Sequence, residues 1–182
     1  MIYELASSNL NRKSILNIMT EIKIVNKESD YKTIADLARI IWQQHYVPII
    51  GANQVEYMLD KYQSVAAIKQ QLNEAAQYFI ICYQDKAVGY ISFIKKQDVL
   101  FLSKIYILDS YRGKGLGKSA MAFIKASAIK LGLVKIALTV NKYNTNSIKA
   151  YKKMGFDNIG EIVTDIGNGF VMDDYILEKN IV

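Results

Sequence analysis

Apolar and polar positions along this chain switch repeatedly between alternation and helical spacing, and the switches predict strands interleaved with helices. The run IKIV (Ile22–Val25) reads as a short strand. Ser29 and Asp30 are good helix caps, and Ile34, Leu37, Ala38, Ile41 and Trp42 follow them at helical spacing. A second helical stretch runs from Gln54 to Ala76, with a break near Gln63–Ser64. QYFIICY and AVGYISFI are β-rich runs joined at Gln84–Asp85–Lys86, a hairpin signal, and VLFLSKIYIL is the next strand. Leu116, Ala120, Phe123, Ile124, Ser127 and Leu131 then mark an amphipathic helix ending at Gly132. VKIALTV is another strand. Asn144 caps a short helix carrying Ile148, Tyr151 and Met154, which Gly155 stops. IGEIVTDI and FVMDDYIL flank Gly167–Asn168–Gly169 and predict a closing hairpin. The fold class is α/β (α+β) with a mixed sheet.

Composition bounds the class. The 182 residues, 51% of them hydrophobic, suffice for one domain with a sizeable core. One proline and no Ser/Gly linker give no sign of a second domain, so residues 21–182 are expected to form a single unit. Residues 1–20 are expected to be a peripheral extension or an upstream mis-start before Met19, the alternative being a docked helix over LNRKSILNIM. No apolar run approaches the ~20 residues that cross a membrane, and the start has no signal-peptide core. A single cysteine, Cys82 in YFIICY, excludes an internal disulfide and a multi-cysteine metal cluster; its plain role is a small buried hydrophobe. A cytoplasmic protein without membrane or metal is expected.

Charge changes the picture once it is mapped. The net charge of +6 hides a block from Lys104 to Lys153 with a balance of +10 and a tail from Met154 with a balance of −5. A basic block suggests nucleic acid. No aromatic RNP-like string accompanies it, and it coincides with YRGKGLGK (Tyr111–Lys118), so a small polyphosphate fits better. That loop is not a P-loop: Gly117, Lys118 and Ser119 match its end, but Arg112 stands where the first glycine belongs. The glycines run G-x-G-x-G, which also fails the dinucleotide spacing. What fits is R-x-x-G-x-G, Arg112 to Gly117, after a strand and opening a helix, where glycines let backbone approach an anion and free N–H groups face it.

This loop resembles the pyrophosphate-binding loop of the GNAT N-acetyltransferase superfamily. Downstream, VNKYNTNSIKAYKKMGF (Val140–Phe156) resembles that family's second signature, with Asn144, Ser147, Tyr151, Gly155 and Phe156 in place. The resemblance covers about Ile22 to Lys179 and implies a mostly antiparallel sheet with splayed middle strands flanked by helices. It implies acetyl-CoA as cosubstrate, held by Ile105, Tyr106, Ile107, Arg112, Gly113, Lys114, Gly115, Leu116, Gly117, Lys118, Asn144 and Ser147. The amine would attack in a notch between the strand ending at Ile107 and the strand ending at Val140. Tyr151 would protonate the departing thiolate.

The general base stays open. Members of the family often carry a Glu on the strand before the loop, where this chain reads LSKIYI and offers Lys104. Glu56, Asp60, Asp173, Asp174 and His45 are the candidates. IWQQHYVPIIGANQVEYMLDKY is similar to the matching segment of bacterial polyamine acetyltransferases of the spermidine/spermine type. Glu56 and Asp60, one turn apart, suggest a cationic acceptor, and a small-molecule amine such as a polyamine is the expected partner. Other small amines, a peptide N-terminus, a non-catalytic acyl-CoA sensor and a homodimer remain alternatives.

Overall fold

A computed structural model describes residues 20–181; the expected N-terminal extension lies outside the described residues. The elements in chain order are β1 (Thr20–Ile24), α1 (Glu28–His45), α2 (Val47–Ile50), α3 (Ala52–Gln63), α4 (Val65–Asn73), β2 (Gln77–Tyr83), β3 (Lys86–Lys96) and β4 (Val99–Ile107). A single 3-10 turn, Asp109–Tyr111, leads to α5 (Leu116–Lys130), β5 (Lys135–Asn141), α6 (Thr145–Lys153), β6 (Asp157–Gly167) and β7 (Phe170–Asn180).

Local chemistry explains most boundaries. Gln84 and Asp85 sit at φ 50° and 62°, the left-handed pair that a two-residue hairpin turn requires. Ser64 breaks the second helical stretch by accepting a hydrogen bond from Ala67 N–H (3.3 Å), so α4 starts anew behind its own cap. Asn144 caps α6 through Ser147 N–H at 3.4 Å. The N-terminus of α1 differs from the expectation. The helix starts at Glu28, inside which Ser29 and Asp30 form the first turn. Asp30 reaches back to accept from Asn26 N–H at 3.2 Å rather than capping forward.

Seven strands form one sheet in the order β1-β2-β3-β4-β5-β7-β6. Every neighbouring pair is antiparallel except β4 and β5. The central strands β2 and β3 are buried on both faces, alternate residues pointing to opposite sides, whereas the edge strand β6 is almost entirely exposed. Phe79 and Ile81 of β2 pack with Leu116, Ala120 and Ile124 of α5, while Tyr78, Ile80 and Cys82 pack with the α1, α3 and α4 side. Cys82 is free and buried there, as expected.

Strand β4 is irregular on both edges. Its parallel pairing with β5 is confined to Val99–Phe101 against Lys135–Ala137, after which the two strands diverge. On its other edge, Phe93 faces Leu102 but Ser92 faces Lys104, leaving Ser103 as a β-bulge. A bulge shifts the side-chain phase by one residue. Leu100 and Leu102 therefore face α5, as do Ile105 and Ile107, whereas Tyr106 turns to the α1 side. Among the described residues no helix is long and apolar enough to cross a membrane.

Candidate active site

The divergence of β4 from β5 opens a cavity of about 700 Å³ that runs through the sheet from the glycine loop to the helices α1, α3 and α4. Its cofactor-side walls are the residues the two sequence motifs singled out. Ile105, Tyr106, Ile107, Arg112, Gly113, Gly115, Leu116, Gly117, Asn144, Ser147 and Tyr151 all line it. Lys114 and Lys118 do not. Both are exposed on the loop, with Lys114 Nζ 4.7 Å from the centre of the Tyr111 ring.

The loop suits a polyphosphate. Gly113 and Gly115 adopt φ 74° and 82°, a conformation that side chains with Cβ adopt at a cost. After Arg112, whose N–H bonds Asp109 O, the next amides with a carbonyl partner are those of Lys118 and Ser119, both bonded to Gly115 O. The N–H groups of residues 113–117 have no such partner among the described residues and are available to an anion at the N-terminus of α5. Arg112 adds a guanidinium, held by Asp109 at 3.3 Å.

Beyond the loop the cavity becomes aromatic. Trp42 and Tyr46 of the α1 end lie 4.7 Å apart by ring centres, and Tyr106 stands 5.7 Å from Trp42 and 6.1 Å from Tyr46. Burial pushes the hydroxyls of Tyr46, Tyr106 and Tyr151 up, so all three stay protonated donors at neutral pH. The Tyr151 ring rests against Phe156 at 5.5 Å.

The acidic candidates separate cleanly. Glu56 is exposed, bound by Arg39 (3.2 Å) and Gln43 (3.1 Å), and outside the cavity wall; Asp60 is exposed and also outside it. Their i, i+4 repulsion, which along the chain suggested a cationic ligand, is relieved in part by Arg39 within the protein. Asp173 is held by Lys142 at 2.6 Å. Asp174 and His45 do line the cavity. Asp174 is 5% exposed, and burial raises its pKa, against the lowering effect of Thr139. His45 has its pKa lowered, first by burial and then by the charge of Arg112.

Sequence reasoning missed several lining residues. Trp42 is visible along the chain only as a helix position, and Tyr46 and Gln71 carry no distinguishing mark there. Lys104 was visible as a departure from an acidic strand position, yet only its burial gives that departure meaning.

Residues 34–156, more than half of the chain, match the model of the Acetyltransferase (GNAT) family, and the chain belongs to that family of N-acetyltransferases. An uncharacterised N-acetyltransferase of Mycobacterium bovis is 26% identical over 137 residues, spanning 74% of this chain and 87% of the relative. L-ornithine N5-acetyltransferase of Arabidopsis thaliana is 25% identical over 111 residues, spanning 60% and 46%. Among solved structures, the PaiA N-acetyltransferase of Thermoplasma acidophilum in complex with coenzyme A superposes with a TM-score of 0.73. It is 21% identical and covers 88% of this chain and 98% of its own. The spermidine/spermine N-acetyltransferase SpeG of Vibrio cholerae gives a TM-score of 0.63 at 18% identity, covering 91% and 95%. The likeness to both structures is one of fold.

Proposed function

We propose that this protein transfers the acetyl group of acetyl-CoA to a small-molecule primary amine by direct attack in a ternary complex. The observation that carries the reading is the notch between β4 and β5, with unpaired loop amides at one end and an aromatic, partly polar chamber at the other. Bound acetyl-CoA supplies an activated acyl thioester. The N–H groups of residues 113–117 and the guanidinium of Arg112 hold its pyrophosphate, with Lys114 and Lys118 neutralising phosphate from outside. The backbone of Ile105, Tyr106 and Ile107, freed from β5 by the splay, orients the acetyl carbonyl and stabilises charge developing on its oxygen. Asn144, the N-cap of α6, and Ser147 in its first turn line the passage of the cofactor arm.

Two protons must move. The attacking nitrogen has to shed one, and Asp174 takes it: among the acidic candidates it alone lines the cavity, and none of the ion pairs among the described residues includes it. Its raised pKa brings it closer to the amine it deprotonates. The leaving sulfur has to gain one. Tyr151 hydrogen-bonds the departing thiolate and gives it a proton, which Tyr151 regains from solvent water, while the proton taken by Asp174 is released to solvent, so the cycle closes with the thiol and the amide as products. A phenol shifted far above a thiol of pKa ~8.5 remains a donor and does not stay ionised.

Glu56 and Asp60 stand outside the cavity and no longer support a polyamine, which keeps the support of the similar segment IWQQHYVPIIGANQVEYMLDKY and of the likeness to SpeG. The relation to an ornithine acetyltransferase supports a small amine equally well. Turnover of acetyl-CoA with polyamines, amino acids, aminoglycosides and peptide N-termini tests the reading, which fails if no amine is acetylated.

Two variants probe the halves of the site. A Cβ on Gly117 meets only Ile107 Cδ1 at 3.9 Å, an ordinary contact, and the position has no strained φ. Gly117→Ala is therefore expected to keep its melting temperature within a degree or two while CoA affinity falls about tenfold or more. Calorimetry showing unchanged affinity removes the loop from the cofactor site. Gly115→Val is a poorer probe, because φ 82° strains any Cβ-bearing residue there before a ligand arrives. Asp174→Asn should lower kcat by ~10²–10⁴-fold and flatten the acid side of the pH–rate profile. In the parent the rate rises with pH as Asp174 loses its proton, at a pH above the ordinary carboxylate range because burial disfavours the anion. A profile unaltered by Asp174→Asn assigns the base elsewhere, with His45 next to be changed.

A further inference from the structure

The acceptor side of the cavity contains a cation with no ion-pair partner among the described residues. Lys104 is 7% exposed and lines the chamber facing α4. Its Nζ donates to Gln71 Oε1 at 2.7 Å and to Ser103 Oγ at 3.4 Å, and lies 5.2 Å from the centre of the Tyr78 ring. All three partners are neutral, and none of the ion pairs among the described residues includes Lys104. Burial lowers its pKa to about 8, so at neutral pH the ammonium is still mostly charged. An unpaired buried charge is costly, and an ammonium has three N–H donors, of which two are used here.

The surroundings hold this charge in one place. Gln71 Oε1 also accepts from Tyr78 Oη at 2.7 Å, and Gln71 Nε2 donates to Tyr62 O at 3.0 Å, so the amide that fixes Lys104 is itself fixed on both ends. The bulge at Ser103 aims Lys104 into the chamber instead of toward α5. Asp174 lies on β7 across the same cavity. The chamber thus has a cationic pole at Lys104 and an acidic one at Asp174, an arrangement matched to a ligand carrying both signs of charge and ill suited to a polycation.

We infer that Lys104 docks a carboxylate of the acceptor, which makes the acceptor a small amino carboxylate, in the simplest case an amino acid. This rests on the proposed acetyl transfer and narrows its substrate. The free N–H of Lys104, with Gln71 and Tyr78 holding it still, receives the carboxylate and leaves the amine free to point at the thioester.

The test compares acids with their amides. Each common amino acid and L-ornithine is paired with its carboxamide, and spermidine and putrescine are added. Binding to the CoA-loaded protein is measured by calorimetry, and acetylation is followed separately with acetyl-CoA. At least one acid should bind about tenfold to a hundredfold tighter than its amide, the range of a hydrogen bond to a charged group. Lys104→Met should reduce that ratio to about one. Gln71→Glu, which supplies Lys104 with a carboxylate from within, should do the same and serves if the first variant does not fold. A ratio near one for every pair in the parent protein, spermidine binding tighter than every acid, or a preference surviving both substitutions overturns the anchor. A stable acetyl group on Lys104 itself, read by mass spectrometry, overturns it too. A clear acid preference without acetylation of any amine keeps the anchor and rejects the transferase reading instead.

Discussion

Tyr151→Phe is expected to lower kcat by ~10²–10⁴-fold while leaving CoA affinity nearly unchanged. The substitution keeps the ring, and with it the contact to Phe156 at 5.5 Å and the packing against the α5-side core. Only the hydroxyl is lost, and that hydroxyl is the donor proposed for the departing thiolate. Because Tyr151 carries a pKa raised by burial, it is not ionised in the resting protein, so no charge is removed and CoA binding has no electrostatic reason to change. Steady-state kinetics beside calorimetry separate the two effects. A Phe variant at full rate returns Tyr151 to packing; one that loses CoA affinity and kcat together makes it a cofactor contact.

Gly89→Ala is expected to cost on the order of 3 kcal/mol of stability, roughly 6–12 °C in Tm for a chain of this size, and to weaken CoA binding with it. A Cβ at residue 89 would stand 2.3 Å from Tyr106 O and 3.1 Å from Ile107 Cα, both backbone atoms of the paired strand. No side-chain rotation relieves that clash. β3 and β4 must separate where Gly89 faces Ile107, and the adjoining bond from Leu108 N–H to Val88 O (2.9 Å) stretches with them. That end of β4 is the segment proposed to orient the acetyl group, and β5 has already left it on the other edge. A thermal melt and CoA calorimetry measure the two consequences. An unshifted melting temperature shows that the strands yield freely, and the rigid support proposed for Ile105–Ile107 then has to be abandoned. Gly117→Ala is the natural control, since its Cβ meets nothing closer than 3.9 Å.

Much of the site was legible along the chain because its recognition groups are backbone amides set by local sequence. R-x-x-G-x-G needs glycine at residues 115 and 117, and the structure finds Gly115 at positive φ and Gly117 in the first turn of a helix whose first amides are unpaired among the described residues. Ser147 and Tyr151 follow the N-cap Asn144 at helical spacing, so two turns of sequence suffice to put all three on one wall. The acceptor chamber was illegible for the converse reason. Trp42, Tyr46, Gln71 and Lys104 come from α1, its C-terminal cap, α4 and β4, and nothing local distinguishes a glutamine that fixes a buried lysine from one in solvent. Glu56 and Asp60 show the same gap from the other side: their spacing is real, but the packing of α1 on α3 gives Glu56 to Arg39 and Gln43 and leaves both acids outside.

Apart from the four-residue helix α2, which it does not reveal, the sequence by itself determined the order of helices and strands, the two hairpin turns at Gln84–Asp85 and Gly167–Gly169, the anion loop and the α6 signature. Each of these depends on interactions within a few residues of chain: periodic burial, capping, and the conformational freedom of glycine. The splay between β4 and β5, the bulge at Ser103 and the choice of which charged groups face the cavity were decided only by the tertiary structure. These depend on pairings between distant segments, where a shift of one residue moves a side chain to the opposite face. LSKIYI reads the same with or without the bulge. Only the register of β3 against β4 turns Lys104 toward Gln71 and makes a buried charge of what the chain shows as one more lysine.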